Sequence, residues 1–175
     1  MYKDKSNIVL IGMPGAGKST VGILLAKLTL REFIDTDILI QISQGRSLQS
    51  IVDTEGHMAL RRIEKDILLG LHCYNYVIAT GGSAVYSHVA MEYLKLNGIV
   101  VFLDVDLCTL ESRVHDFDTR GLAKRADQSF SDLFKERLIL YRKYADITVD
   151  CINLSHEEVC AQIIKRVKTW KPTRS

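Results

Sequence analysis

The chain of 175 residues has no apolar run near the ~18 residues that a membrane helix needs, so no span is expected. It also lacks a long basic run, and its net charge is only +2, which argues against a nucleic-acid surface. The first residues, Met1-Tyr2-Lys3-Asp4-Lys5-Ser6, lead straight into an apolar segment with no signal-peptide pattern. Cys73, Cys108, Cys151 and Cys160 form no C-x-x-C pair and no metal-ligand cluster with histidine. Reduced thiols and a cytoplasmic setting are therefore expected. The five histidines share no ligand spacing, and none is assigned a role. Internal repeats, low-complexity tracts and linkers are missing as well. One domain spanning 1–175, acting as a monomer, is the simplest organisation. Its composition, 47% hydrophobic and 25% charged, is that of an ordinary globular protein.

Against this plain background one stretch stands out: Gly12-Met13-Pro14-Gly15-Ala16-Gly17-Lys18-Ser19. It follows the apolar run Ile8-Val9-Leu10-Ile11 and opens an apolar-periodic segment from Val21. A buried strand, a glycine-rich turn and a helix form the context in which G-x-x-x-x-G-K-[ST] binds phosphate. Backbone N–H groups from Gly15, Ala16, Gly17, Lys18, Ser19 and Thr20 would surround an anion, aided by the positive end of the helix. Lys18 is expected to reach the β- and γ-phosphates of a nucleotide, and the Ser19 hydroxyl to hold Mg²⁺.

The rest of the chain alternates strands with helices. Glu32 to Asp37 reads as a second strand, Tyr76 to Thr80 as a third, Ile99 to Leu103 as a fourth and Ile147 to Val149 as a fifth. Helical patterns fill the gaps: Ile38–Gln44, Leu48–Thr54, Met58–Leu71, Ser87–Leu96, Leu107–Val114, Leu133–Tyr144 and Val159–Lys168, the last opened by the capping box Ser155-His156-Glu157-Glu158. Continuous apolar strands suit a parallel sheet covered on both faces, so the fold class is α/β in a single domain. Residues 116–128 carry charges without apolar periodicity and are expected to lie over the site as a mobile lid. Residues 171–175 should fray.

Asp35 and Asp37 stand at the carboxyl end of a strand, the edge where open α/β sheets place ligands. There they suit two jobs: Mg²⁺ through water for Asp35, and a substrate hydroxyl for Asp37. The plain alternative makes Asp37 the N-cap of the turn that follows. The third strand carries no Asp-x-x-Gly that would otherwise serve the metal. Among the arginines, Arg61, Arg120 and Arg137 are candidate anion contacts, whereas Arg62 reads as a solvated surface residue. Arg120, in the expected lid, is placed to close over the transferring phosphate.

Over almost its whole length the chain resembles the shikimate kinase family. The nucleotide loop is matched by Gly12 to Thr20 and the Asp-x-Asp by Asp35 and Asp37. Gly45-Arg46-Ser47, Glu55-Gly56 with Arg61 and Glu64, Thr80-Gly81-Gly82, Arg120, and Glu136-Arg137 with Leu140-Tyr141 follow in the family's order. The resemblance implies a sheet ordered 2-3-1-4-5 and Mg·ATP-dependent phosphorylation of the shikimate 3-hydroxyl. It further implies that Arg61 and Arg137 hold the substrate carboxylate, Asp37 the ring hydroxyls and Gly82 a further contact, with Glu64 orienting the arginines. Four positions depart from the family pattern: Leu60 stands for a phenylalanine, Ser83 for the third glycine of the turn, Gly121 for the proline after the lid arginine, and Ile139 for a proline before Leu140-Tyr141. They touch the walls of the substrate pocket more than the phosphate machinery. Two other readings remain: a related kinase for another small hydroxy acid or polyol, and a non-catalytic ATP-binding module. A nucleoside monophosphate kinase would need a base-binding region and more lid arginines.

Overall fold

The strand β1 (Asn7–Ile11) is buried along its whole length, because its apolar side chains must be covered on both faces of a sheet. In the computed structural model, which describes residues 6–113, 121–125 and 127–171, β1 is the middle strand of five. It pairs in parallel with β3 (Tyr76–Ala79), Ile8 opposite Val77, and with β4 (Gly98–Asp104), Ile8 opposite Ile99. β2 (Glu32–Asp35) lies outside β3 and β5 (Ile147–Asp150) outside β4, which gives the order β2-β3-β1-β4-β5. β3 and β4 are buried except for one half-buried end residue each, whereas of the edge strands β2 has no buried residue and β5 alternates buried with exposed ones.

Eight helices join the strands among the described residues: α1 (Lys18–Thr29), α2 (Thr36–Gln44), α3 (Leu48–Glu55), α4 (His57–Leu69), α5 (His88–Asn97), α6 (Leu107–Arg113), α7 (Phe130–Tyr144) and α8 (His156–Thr169). α1 packs on α8 and on β2 and β3, while α5 and α7 pack on β4. Serines start four of these helices, Ser47, Ser87, Ser129 and Ser155, each accepting a backbone N–H inside the first turn. At Ser155 the expected box with Glu158 is complete. None of the described helices is long and apolar enough to cross a membrane.

Two local expectations need correction. The second strand stops at Asp35 rather than Asp37, because the Asp35 carboxylate accepts from the backbone N–H of Asp37 and Ile38 and opens α2 at Thr36. The N-cap is thus Asp35, and Asp37 sits inside the first turn. After the Gly81-Gly82 turn the chain forms a 3₁₀ turn, Ala84–Tyr86, that no periodicity announced.

The main core surrounds the sheet, and a second small cluster lies apart from it. Ile40 of α2, Ile51 of α3 and Leu60 of α4 close around Ala123, a residue of the segment that follows the undescribed stretch 114–120. This lesser core fixes α2, α3 and α4 beside the carboxyl ends of the strands. Residues 172–175, where fraying is expected, lie outside the described residues.

Candidate active site

The loops leaving β1, β2 and β3 open on one cavity of about 610 Å³. Gly17, at φ 90°, is the N-cap of α1, a backbone shape that glycine adopts without strain. The next residue, Lys18, is buried, and its Nζ donates to the carbonyls of Gly12 at 2.7 Å and Met13 at 2.9 Å. A lysine ammonium has three N–H donors, so two hold the loop and one is left for a phosphate oxygen. Burial lowers the Lys18 pKa to about 8, against the opposing pull of the Asp37 carboxylate.

Ser19 and Thr20 are exposed at the cavity edge, and Gly15 also lines it; Ala16 is buried behind the loop. The Ser19 hydroxyl donates to Asp35 Oδ2 at 2.6 Å. One oxygen of Asp35 therefore caps α2 while the other meets the phosphate-loop serine. A hydroxyl and a carboxylate side by side at a helix N-terminus form a hard-oxygen set that fits Mg²⁺, an ion that keeps several waters and takes one or two carboxylates plus phosphate oxygens.

Asp37 lines the same cavity. Burial raises its pKa, and the Lys18 charge moderates the effect. Gly81 and Gly82 explain how so much charge fits here. A Cβ on Gly81 would stand 2.4 Å from Glu64 Oε1 and 2.6 Å from Asp37 Oδ1, and one on Gly82 2.7 Å from Arg137 Nη1. Only glycine lets the turn after β3 approach two carboxylates and a guanidinium this closely. The Gly81 N–H donates to the Thr36 hydroxyl at 3.0 Å, which ties the start of α2 to this turn.

Glu64 differs from its expected role. Its Oε2 accepts from the Ser83 hydroxyl, and its Oε1 has no hydrogen-bond partner among the described residues. It is held by Ser83, then, and not by Arg61 or Arg137. Burial raises its pKa to about 7, and the nearby Asp37 charge adds to the rise. The two arginines meet elsewhere. Arg61 Nη2 and Arg137 Nη2 both donate to the carbonyl oxygen of Ala123, at 3.1 Å and 3.0 Å. Arg137 lines the cavity and is almost wholly buried; Arg61 is half-buried, is not among the lining residues, and meets Arg137 at that carbonyl. Arg62 is exposed, as read from its sequence.

Three contributors went unread in the sequence. Arg113, in the last turn of α6, lines the cavity and reaches the Gly15 carbonyl at 3.5 Å. His156 lines it from α8, its Nε2 3.4 Å from where a Cβ on Gly17 would stand. Tyr86 lies beneath Arg61, whose guanidinium carbon is 3.5 Å from the ring centroid. A basic residue closing the helix after the fourth strand was a usable signal for Arg113. For His156 and Tyr86 the contact is long-range and leaves no local pattern. Of the expected lid, 116–128, residues 116–120, Arg120 among them, and Ala126 lie outside the described residues. Leu122 and Ala123, further along the same segment, are buried, and Gly121 N–H donates to the Gln49 side chain at 2.6 Å.

A glycine-rich phosphate loop on a parallel sheet, facing a carboxylate and a buried arginine across one cavity, defines a phosphoryl-transfer enzyme acting on a small anionic acceptor. The comparisons narrow this. The family model described as shikimate kinase matches residues 14–168. The chain is 35% identical over 163 residues to the shikimate kinase of Bacillus cytotoxicus, covering 93% of this chain and 98% of the relative. It is 38% identical over 169 residues to that of Clostridium botulinum strain 657, covering 94% and 98%. Among solved structures, the shikimate kinase of Acinetobacter baumannii in complex with shikimate superposes with a TM-score of 0.88 at 32% identity, covering 98% of each chain. The Aquifex aeolicus shikimate kinase gives 0.81 at 34%, covering 93% of this chain and 96% of the other. The chain belongs to the shikimate kinase family, ATP-dependent kinases whose acceptor is a hydroxyl of shikimate.

Proposed function

We propose that this chain transfers the γ-phosphoryl group of ATP to the 3-hydroxyl of shikimate, with Asp37 at the acceptor hydroxyl and Arg61 and Arg137 as the clamp for its carboxylate. The observation that carries the reading is that Lys18, Asp37 and Arg137 line a single cavity. Phosphate, hydroxyl and carboxylate chemistry are thereby served within one small volume. Arginine's planar fork suits a carboxylate better than a lysine ammonium does.

The nucleotide phosphates rest on the N–H groups of Gly15 to Thr20, with Lys18 balancing charge on the β- and γ-phosphates. Arg113 and His156 flank that loop on the nucleotide side. The acceptor oxygen forms a bond to the γ-phosphorus while the bond from that phosphorus to the bridging β-oxygen breaks. ADP leaves with the bond's electron pair, and the acceptor's proton passes to Asp37 late in the reaction. Such a loose transition state depends more on positioning and charge balance than on a strong base. Ser19 and Asp35 would hold Mg²⁺, Asp35 through water; the ion supplies charge neutralisation on the phosphates. Arg120 completes the set as the arginine that closes over the transferring group. We read the chain as a monomer in the cytoplasm; its four free cysteines agree with a reducing setting.

A coupled ADP-release assay with a panel of hydroxy acids and polyols tests the reading. Turnover dependent on shikimate is expected. Turnover only with another acceptor would assign the chain to a different substrate, and none at all would make it an ATP-binding module.

A further inference from the structure

Arg61 and Arg137 are two guanidinium groups side by side, and among the described residues neither meets a carboxylate at ion-pair distance. Glu64 favours both cations from beyond that distance, and Glu136, which precedes Arg137 in the chain, faces Arg125 at 4.0 Å. Like charges packed this way repel unless something offsets them without occupying the donors that a ligand needs. Tyr86 stands at that point. Its ring face lies 3.5 Å from the Arg61 guanidinium carbon and 5.4 Å from that of Arg137. Its hydroxyl accepts from Arg137 Nε at 3.4 Å and donates to Glu136 Oε1. Gln128 fixes the other oxygen, Oε2, at 2.8 Å.

We propose that Tyr86 is a positioning residue of the carboxylate clamp: its face carries Arg61, and its hydroxyl relays the negative charge of Glu136 to Arg137. The proposal rests on the reading of Arg61 and Arg137 as that clamp. A π face attracts a cation without consuming an N–H. A carboxylate in the same place would take a bidentate grip on one guanidinium and remove it from substrate binding. The phenol keeps Glu136 one bond away, close enough to favour the cations and too far to neutralise them. The Tyr86 hydrogen bond also holds the Glu136 carboxyl below its usual range, so that group stays anionic. The Nη1 of Arg137, which lies against Gly82, takes no part in these contacts.

The test compares Tyr86→Phe, Tyr86→Leu and Arg137→Lys for the KM of shikimate, the KM of ATP, kcat and melting temperature. Phenylalanine keeps the face and loses the relay; leucine loses both. Tyr86→Leu should raise the shikimate KM on the order of tenfold, and Tyr86→Phe by about threefold, with the KM of ATP unchanged in both. A purely structural role would lower the melting temperature and leave the ratio of the two KM values alone, and that result overturns the proposal. So does a Tyr86→Leu enzyme whose shikimate KM stays within about twofold of wild type. If that variant does not fold, Tyr86→Phe decides, and an unchanged shikimate KM overturns the idea. Arg137→Lys separates the two levels. If it raises the shikimate KM and the Tyr86 variants do not, only the role of Tyr86 falls. If it too has no effect, the clamp itself is wrong, and Tyr86 falls with it.

Discussion

The Ser83 hydroxyl donates to Oε2 of Glu64, nineteen residues earlier in the chain, in a wholly buried contact. The bond offsets only part of what burial costs the carboxylate, so Glu64 keeps a pKa near 7. The folded protein thus binds this proton more tightly than the unfolded chain does. The resulting stabilisation is complete below about 4.5, the ordinary value, and is lost as pH rises through about 7.

The first prediction follows from that sign. Between about pH 5 and about pH 8 the wild-type unfolding free energy should fall, by up to about 3 kcal/mol from this group alone. Asp37, also raised by burial, acts in the same direction. Lys18, lowered to about 8, opposes the fall at the upper end of this range, because there the unfolded chain binds its proton more tightly. In Glu64→Gln the fall should be markedly smaller. Urea denaturation at both pH values measures it; an equal fall in the variant would show that Glu64 is ionised throughout.

Asp37 and Asp35 should separate by kinetics. Asp37→Asn keeps the shape but cannot take the proton, so kcat should drop by roughly two to four decades with a smaller change in KM. Asp35→Asn weakens the acceptor of the Ser19 hydroxyl, and it should appear as a weaker response to Mg²⁺. Paired Mg²⁺ titrations of turnover distinguish the two. Normal turnover in Asp37→Asn would leave that residue with no part in the chemistry.

Lys18 holds the Gly12 and Met13 carbonyls as well as its expected phosphate. Lys18→Ala should therefore cost two or more decades of turnover, on the order expected for a lost charge stabiliser. Cooperative melting should persist, at a somewhat lower temperature. Near-normal turnover would mean that the loop has been misread.

Gly121 stands where the family has proline, and the structure accounts for it. Its φ is +62°, and a Cβ there would meet the Leu48 carbonyl carbon and the Gln49 nitrogen at 2.5 Å. Its N–H is also used, by the Gln49 side chain. Gly121→Pro imposes a negative φ and deletes that donor. It should lower the melting temperature and raise the shikimate KM, while Gly45→Ala, a glycine at φ 63° with open space around it, should cost stability alone. Calorimetry with steady-state kinetics reads both; an active, equally stable Gly121→Pro would show that the segment adopts another conformation.

Much of this was legible in the sequence because its signals are local. The phosphate loop is a contiguous motif between two periodic segments, and the strands are apolar runs bounded by turns, so the α/β class could be read directly. The strand order came only through the family likeness, since no local pattern says which strand adjoins which. The boundary at Asp35 was missed because a carboxylate at a strand end can extend the strand or cap a helix, and the choice is made by hydrogen-bond geometry. Glu64 was expected to face the arginines, one three residues back along the same helix and one across the cavity. Ser83 took it instead, at a position where the family has glycine and hence no hydroxyl to offer. Tyr86 and His156 reach the site only through packing between distant elements.

Arg61 and Arg137 share one anchor, the carbonyl oxygen of Ala123. A main-chain oxygen survives every substitution of its own side chain. Exchanging residues in this loop therefore leaves the anchor in place, provided the backbone keeps its course. Adding or removing a residue between Gly121 and Gln128 does not, because it displaces that oxygen and swings both guanidiniums together. For anyone redesigning the enzyme's acceptor range, spacing in this loop is a coarse control on the pocket, and residue identity on α4 and α7 a fine one.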